Sequence, residues 1–303
     1  SDNTSIGWGS LVLNTTGADN TALGRSALAA NTSGATNTAV GKSALLANTT
    51  GQGNTAVGSS ALKANTTANN NAAFGAGAMF TNTTGTENTA LGLNTLYANT
   101  TADGGTAVGS QALTSVTTGA GNTGVGQNAG LVITTGHGNT LVGSLSGDAI
   151  TTGVQNVAVG RGTLTTLTTG DQNLAMGVSA MEAATTGSNN VAIGPNAGGA
   201  LTTGTGNTFI GSNSGNGNVI TTGTNNIAVG NNVETRSADA ANSNSIVIGH
   251  NFAGASNDFS FGKASNVVTN DFDTDANWSR SSDERLKKNI TNQTLGLDFI
   301  NAL

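Results

Sequence analysis

Apolar and polar positions along this chain recur with a period of 17 residues from Asn3 to Gly211. One phrase carries the pattern: Asn20-Thr-Ala-Leu-Gly24, then Ala27-Leu28, then Asn31-Thr-Ser-Gly34, before Asn37 begins it again. Phrases open at residues 3, 20, 37, 54, 71, 88, 105, 122, 139, 156, 173, 190 and 207, always with Asn except at Gly105. Four residues later Gly stands in every copy, and the residue before it is always apolar, as in Ile6, Leu23, Val40, Phe74 and Met176. Three residues after the Gly comes a small side chain (Ala27, Ala44, Ala61, Ala78), followed usually by Leu or Met. A fixed period of this size predicts a stacked array in which each copy is one turn of a longer object.

A 17-residue unit is too short for a helical repeat, which needs about 33 residues or more. Asn and Gly supply the tight turns, and the Val- and Thr-rich runs suit short strands. The expected fold is therefore all-β, a parallel β-solenoid or β-roll with two or three short strands per turn. The Ala/Val and Ala/Leu columns are expected to line its thin core. Asn stacked over Asn, and Thr over Thr, would satisfy their side chains from turn to turn. One column changes midway: Asn14, Asn31, Asn48, Asn65, Asn82 and Asn99 give way to Val116, Ile133, Ile150, Leu167, Ala184 and Leu201. In three of these later turns the Leu column becomes Gly (Gly130, Gly147, Gly198), which reads as volume compensation around one core or as simple divergence of the repeats.

Composition supports a thin rod over a compact enzyme domain. Only 9% of the 303 residues are charged and 4% aromatic, with 45 Gly and one Pro, where a globular domain carries about 25% charged residues. A strict period also argues against disorder. There is no Cys, hence no disulfide framework or thiolate metal site. No apolar run approaches the ~18–20 residues of a membrane span, so membrane insertion is not expected. The net charge of −6 without a basic stripe argues against a nucleic-acid partner.

Three regions follow. Residues 1–249 form the repeat shaft or head, 250–281 a connector, and 282–303 a distinct C-terminal segment. The period stretches after Asn213–Val219, with phrases at Asn226-Ile-Ala-Val-Gly230 and Asn244-Ser-Ile-Val-Ile-Gly249 and an inserted loop around Glu234–Ala241. Aromatic residues (Phe252, Phe259, Phe261, Phe272, Trp278) and charge thicken beyond residue 250, with nine charged residues between Asp271 and Lys288. From Asp283 the chain reads as a short region leading into a helix, its apolar run being Leu295, Leu297, Phe299, Ile300 and Leu303.

The phrases Asn190-Val-Ala-Ile-Gly194, Asn226 to Gly230 and Asn244 to Gly249 resemble the head repeats of trimeric autotransporter adhesins. That family implies left-handed parallel β-rolls with three chains side by side, although its usual turn is shorter than 17 residues. Trimerisation also has a physical motive, because a turn this small encloses little apolar volume alone. A second resemblance lies in Phe261-Gly-Lys-Ala-Ser-Asn266, Ser281-Ser-Asp-Glu-Arg-Leu-Lys-Lys-Asn-Ile290 and Leu297-Asp-Phe-Ile-Asn-Ala-Leu303. It is similar to the start of the intramolecular chaperone of phage tail spikes and fibres, which trimerises its fibre and then cuts itself off. The positions matching that family's motif are Ser282, Asp283, Arg285 and Lys287. The resemblance implies Ser282 as nucleophile, Lys287 as its base and a cut between Ser281 and Ser282. A Lys of depressed pKa can activate a hydroxyl in this way. The family's chaperone runs much further beyond its serine, so the expectation here is a boundary marker, not a competent cleavage site.

The two resemblances together imply a structural and adhesive phage tail fibre, a homotrimeric rod on the virion that contacts a host-surface receptor such as a glycan. A bacterial cell-surface adhesin or extracellular filament of the same architecture is the alternative. A third, minor reading is an ice-binding solenoid built on the recurring Thr pairs (Thr15-Thr16, Thr49-Thr50, Thr83-Thr84, Thr134-Thr135, Thr168-Thr169, Thr202-Thr203). The plainer reading of those pairs is a turn with a β-favoured edge. Asn14, Asn48, Asn65, Asn82 and Asn99 fit the glycosylation sequon, but the repeat itself generates it. Asp271, Asp273 and Asp275 alternate and would share one face of a strand, as turn and cap residues or as Ca²⁺ ligands. His137 and His250 read as loop residues, and Trp8 and Trp278 as end-caps. No cofactor is expected, and no activity on external substrates.

Overall fold

The structure, a computed structural model, describes residues 2–217, 221–235, 242–271 and 279–281. It is an all-β parallel solenoid of about 15 turns. Every turn from β1 (Thr4–Ile6) to β13 (Thr208–Ile210) contributes one three-residue strand, where two or three were expected. Register is fixed at 17 residues, as in Thr21↔Thr38, Ala22↔Ala39 and Leu23↔Val40. The rest of each turn is bends and tight turns, yet it also bonds to its neighbours. Thr21 donates its amide to Asn37 O at 2.8 Å, Gly24 to Ile6 O at 2.8 Å, Leu28 to Ala44 O at 3.0 Å and Thr32 to Thr49 O at 2.9 Å. Hydrogen bonds therefore ring the whole cross-section, and at about 4.8 Å per turn the rod is roughly 70 Å long.

The strand alternation decides what enters the core. In Thr-Ala-Val the central Ala points inward (Ala22, Ala39, Ala56 and Ala73 are fully buried), so its two neighbours point outward. This overturns the expectation that the Val column lines the core. Leu23 is 45% exposed and Leu91 49%. The interior is instead lined by the strand Ala, the Ala-Leu pair after the Gly, and the Asn that opens each phrase.

The inward Leu column sits in an unusual backbone. Leu28 (φ 51°), Leu45 (φ 49°), Leu62 (φ 48°) and Leu113 (φ 51°) all adopt left-handed geometry while fully buried. That geometry costs roughly 1–2 kcal/mol for an L-residue, against about 1.5–3 kcal/mol from burying a Leu, so burial wins narrowly. Where another side chain fills the volume, Gly takes over. A Cβ on Gly130 would lie 2.7 Å from Leu113 Cδ2, 2.8 Å from Leu141 Cδ1 and 2.9 Å from Ile133 Cδ1. Leu141 and Ile150 crowd Gly147 in the same way, and Phe209 fills the space beside Gly198 and Gly215. Volume compensation is thus the physical reason for the Leu-to-Gly exchange.

Two amide ladders run along the interior. In the first, Asn54 Nδ2 donates to Asn37 Oδ1 (3.2 Å) and Ala68 O (2.8 Å), while Asn54 N donates to Asn37 Oδ1 (3.0 Å). The second links Asn31, Asn48, Asn65, Asn82 and Asn99, and ends where Val116 replaces Asn. There Asn99 Oδ1 turns back to accept the Ala102 amide at 3.1 Å. At Gly105 the first ladder is interrupted: Asn88 Oδ1 accepts the Gly105 amide (2.7 Å), and Asn122 Nδ2 reaches Gly119 O (2.9 Å) in place of the missing side chain. Restoring that rung is feasible, because the φ of Gly105 is not left-handed and the nearest atom to an added Cβ is Asn88 Oδ1 at 3.0 Å. Gly105→Asn should stabilise the rod by about 1–2 kcal/mol through the new hydrogen bonds and a less flexible unfolded chain. A denaturant melt checks it; an unchanged midpoint would mean the gap is already fully repaired.

Past Gly211 the repeat lengthens. Strand β14 (Ile227–Thr235) pairs with β13 at a step of 19, as Ile210↔Val229, and β15 (Ile246–Gly254) follows β14 at another 19, as Ile227↔Ile246. The phrase therefore opens at Ser245, not at Asn244 as the sequence suggests. Ser245 is buried and donates its amide and hydroxyl to Asn226 Oδ1 (3.1 and 3.0 Å), doing with a hydroxyl what Asn does elsewhere. Asn244 lies outside with φ 59°. Parallel stacking continues into β16 (Asp258–Lys263), after which β17 (Asn266–Asp271) and β18 (Ser279–Ser281) add antiparallel strands. The helix expected from Asp283 onward falls outside the described residues.

Candidate functional site

The outward strand face runs the length of the stack. The residue before each Gly forms an unbroken apolar file, from Ile6 (61% exposed) through Leu91 and Ile210 to Phe261 (43%). Its parallel register stacks these side chains one per turn, as in Val57↔Phe74↔Leu91. The companion outward position is mostly Thr in the first turns (Thr21, Thr38, Thr55, Thr89). Later it becomes apolar at Val157, Leu174, Val191, Ile227, Ile246 and Phe259, so the apolar face widens toward the C-terminal turns. Phe259 and Phe261 lie with ring centroids 5.7 Å apart. Contiguous apolar surface of this length is uncommon on a single soluble chain.

The Thr pairs divide their work. The first Thr of each donates its hydroxyl to a carbonyl of the next turn and, except for the exposed Thr15 of the terminal turn, is half-buried: Thr49 to Thr66 O at 3.0 Å, Thr83 to Thr100 O at 2.9 Å, Thr202 to Thr221 O at 2.7 Å. Beyond that terminal turn only the second, as in Thr50, Thr84 and Thr135, is exposed. The pairs therefore present a single hydroxyl file in a bend. The sequon residues Asn48, Asn65, Asn82 and Asn99 are fully buried with both amide hydrogens donated, so the folded chain gives an enzyme no access to them.

Other residues singled out in the sequence are dispersed. His137 and His250 are exposed and far apart in the stack. Trp8 is 76% exposed, with the Arg25 guanidinium 5.5 Å over its ring. Asp271 ends β17, while Asp273, Asp275, Trp278, Ser282, Asp283, Arg285 and Lys287 lie outside the residues whose side chains are described. Among the described residues no three His, Asp or Glu side chains gather as a metal site, and no helix is long and apolar enough to cross a membrane.

One carboxylate is perturbed. Burial pushes the Asp148 carboxyl up from its ordinary 3.8, partly offset by its own backbone amide, and its Oδ1 has no hydrogen-bond partner. A raised native pKa favours the protonated form in the fold. The resulting stabilisation is present below the unfolded value and is lost as pH rises through the raised one. Asp148→Asn should therefore raise the stability at pH 7, by less than about 1 kcal/mol for a partly solvated group, and leave it unchanged near pH 3, as melts at the two pH values would show. Equal gains at both pH values would assign the effect to packing instead.

Comparison of the chain with protein-family models, with curated proteins and with solved structures finds no match in any of the three.

Proposed function

We propose that the chain is a structural rod that works by adhesion, assembling side by side with two further copies of itself. More particularly, it is the shaft or head of a phage tail fibre, projecting from the virion toward a host-surface receptor. The observation that carries this reading is the apolar file along the strand face, which has the length and direction a lateral partner of the same rise would cover. About 15 half-exposed side chains offer roughly 10–15 kcal/mol on burial, enough to meet the ~4–15 kcal/mol that association costs. The number three rests on the resemblance to trimeric adhesin heads and to the fibre chaperone. By that second resemblance, residues 282–303 begin the chaperone, with Ser282 and Lys287 as its cleavage pair.

The experiment is a charge placed in the face. Leu91→Lys combined with Val125→Lys alters two outward side chains and leaves the core untouched. Sedimentation should report three chains for the unaltered protein and one for the double variant, with unchanged circular dichroism. A double variant that keeps the parent's mass would remove the strand face from the account.

A further inference from the structure

The two lengthened turns hold a recess. It is an open cavity of about 160 Å³ lined by Asn232, Glu234, Asn251, Phe252 and Ala253. Its floor follows from the register of β14 and β15, where Val233 faces Phe252 and Glu234 faces Ala253. Asn232 (φ 50°) and Asn251 (φ 55°) adopt left-handed backbone, which Asn tolerates better than most residues. Their amides are linked, Asn232 Nδ2 donating to Asn251 Oδ1 at 2.7 Å. That bond leaves Asn232 Oδ1 as an acceptor and the Asn251 Nδ2 hydrogens as donors. Glu234 lies against Gly217, where an added Cβ would come within 2.6 Å of its carboxylate carbon. Its carboxylate is half-buried and has no hydrogen-bond or ion-pair partner among the described residues.

A carboxylate, an amide acceptor, an amide donor and the edge of an aromatic ring thus converge on one small recess. We propose that it binds one ring of a neutral saccharide. Two ring hydroxyls donate to Glu234 and Asn232 Oδ1, a third accepts from Asn251 Nδ2, and an apolar ring edge rests on Phe252 and Ala253. The size fits a single sugar unit, because clefts for drug-sized ligands span ~300–1,000 Å³. The open side lets the remaining units of a longer glycan run along the rod. The recess lies beyond the Gly230 turn from Val229 of the apolar file. The proposal rests on the adhesive reading and gives it a contact point near the C-terminal turns.

The test is saturation-transfer NMR on the intact chain with maltose, lactose, chitobiose and mannobiose, and with glucosamine as a cationic control. Transfer is expected to the ring protons of at least one of the four neutral sugars, weakened about tenfold or more in Glu234→Ala and in Asn251→Ala, a loss typical of removing a charge-assisted hydrogen bond. Melting curves confirm that both variants fold, and Asn231→Ala, just outside the recess, should leave transfer unchanged. No transfer to any of the sugars, or transfer unaffected by both variants, overturns the site. Transfer confined to glucosamine and abolished by Glu234→Gln overturns the neutral-sugar assignment in favour of an amine cation. Sedimentation of the same samples separates the two proposals: a trimer that binds no sugar sinks only the recess, and a monomer that binds sugar sinks only the fibre.

Discussion

Gly58→Ala is expected to destabilise the rod by about 3–5 kcal/mol, although it adds a single methyl group. Gly58 has φ 137°, a region that L-residues rarely enter, and holding one there costs roughly 1–3 kcal/mol. The second term is steric. The new Cβ would lie 2.5 Å from Gly75 O and 2.6 Å from Gly75 C. Those atoms belong to the backbone of the next turn and are held by that turn's own bonds, so relief requires moving the neighbouring coil. Each turn touches only its neighbours, so the damage should concentrate at one interface and split the array into two blocks. Calorimetry should show a lowered, broadened or two-step transition. Ser59→Ala, at the exposed next position, should stay within about 0.5 kcal/mol of the parent. If both variants melt together near the parent temperature, the close stacking of the Gly column is wrong.

The second large effect is expected for Asn54→Ala, at about 2–4 kcal/mol. Asn54 is fully buried and works in both directions along the ladder. Its Oδ1 accepts from Asn71 N (3.0 Å) and Asn71 Nδ2 (3.3 Å), and its Nδ2 serves Asn37 Oδ1 and Ala68 O. Ala would leave the Asn71 backbone amide without its acceptor in a dry interior, at about 1–3 kcal/mol for an unsatisfied group, and would take one donor each from Asn37 Oδ1 and from Ala68 O, which keeps its 3.2 Å bond from Asn65 Nδ2. The natural interruption at Gly105 sets the lower bound, since there the next Asn rescues the orphaned carbonyl of Gly119. Asn71 Nδ2, released from Asn54 Oδ1, can make the equivalent bond to Ala68 O while keeping Gly85 O, but the Asn71 backbone amide gains no such substitute. Thr50→Ala, which removes an exposed hydroxyl from the neighbouring turn, is the control and should stay within about 0.5 kcal/mol of the parent. Chemical denaturation of the two variants beside the parent decides whether the interior amides hold the stack together.

Much of this architecture is legible in the sequence, and the illegible parts share a physical cause. The 17-residue spacing, the invariant Gly and the stacked Asn imply a parallel coil, because identical residues can satisfy one another only in register. The exchange of Leu for Gly beside Ile133, Ile150 and Leu201 points to a shared interior. The same exchange also carries a subtler signal: a column that accepts either Leu or Gly is one with positive φ, as Leu45 and Gly147 show. The outward direction of Val40 and its equivalents is obscured because an always-apolar column looks like core. Only the alternation around the inward Ala separates a buried file from one that faces outward. Ser245 escapes notice for a simpler reason, since Asn244 matches the phrase and a hydroxyl can replace an amide in the ladder. The recess is hidden because Gly217, Glu234 and Asn251 come together only through the 19-residue steps, which sequence spacing does not align. Ser282 and Lys287 rest on resemblance alone.

The most direct test of the central claim is the mass and shape of the unaltered chain in solution. Light scattering combined with sedimentation velocity should report three times the 29.6 kDa chain mass and the high frictional ratio of a rod whose single-chain length is roughly 70 Å. That result would place the apolar file at a lateral interface between copies. A species of one chain mass, unchanged on concentration, would contradict the account and leave that file facing water.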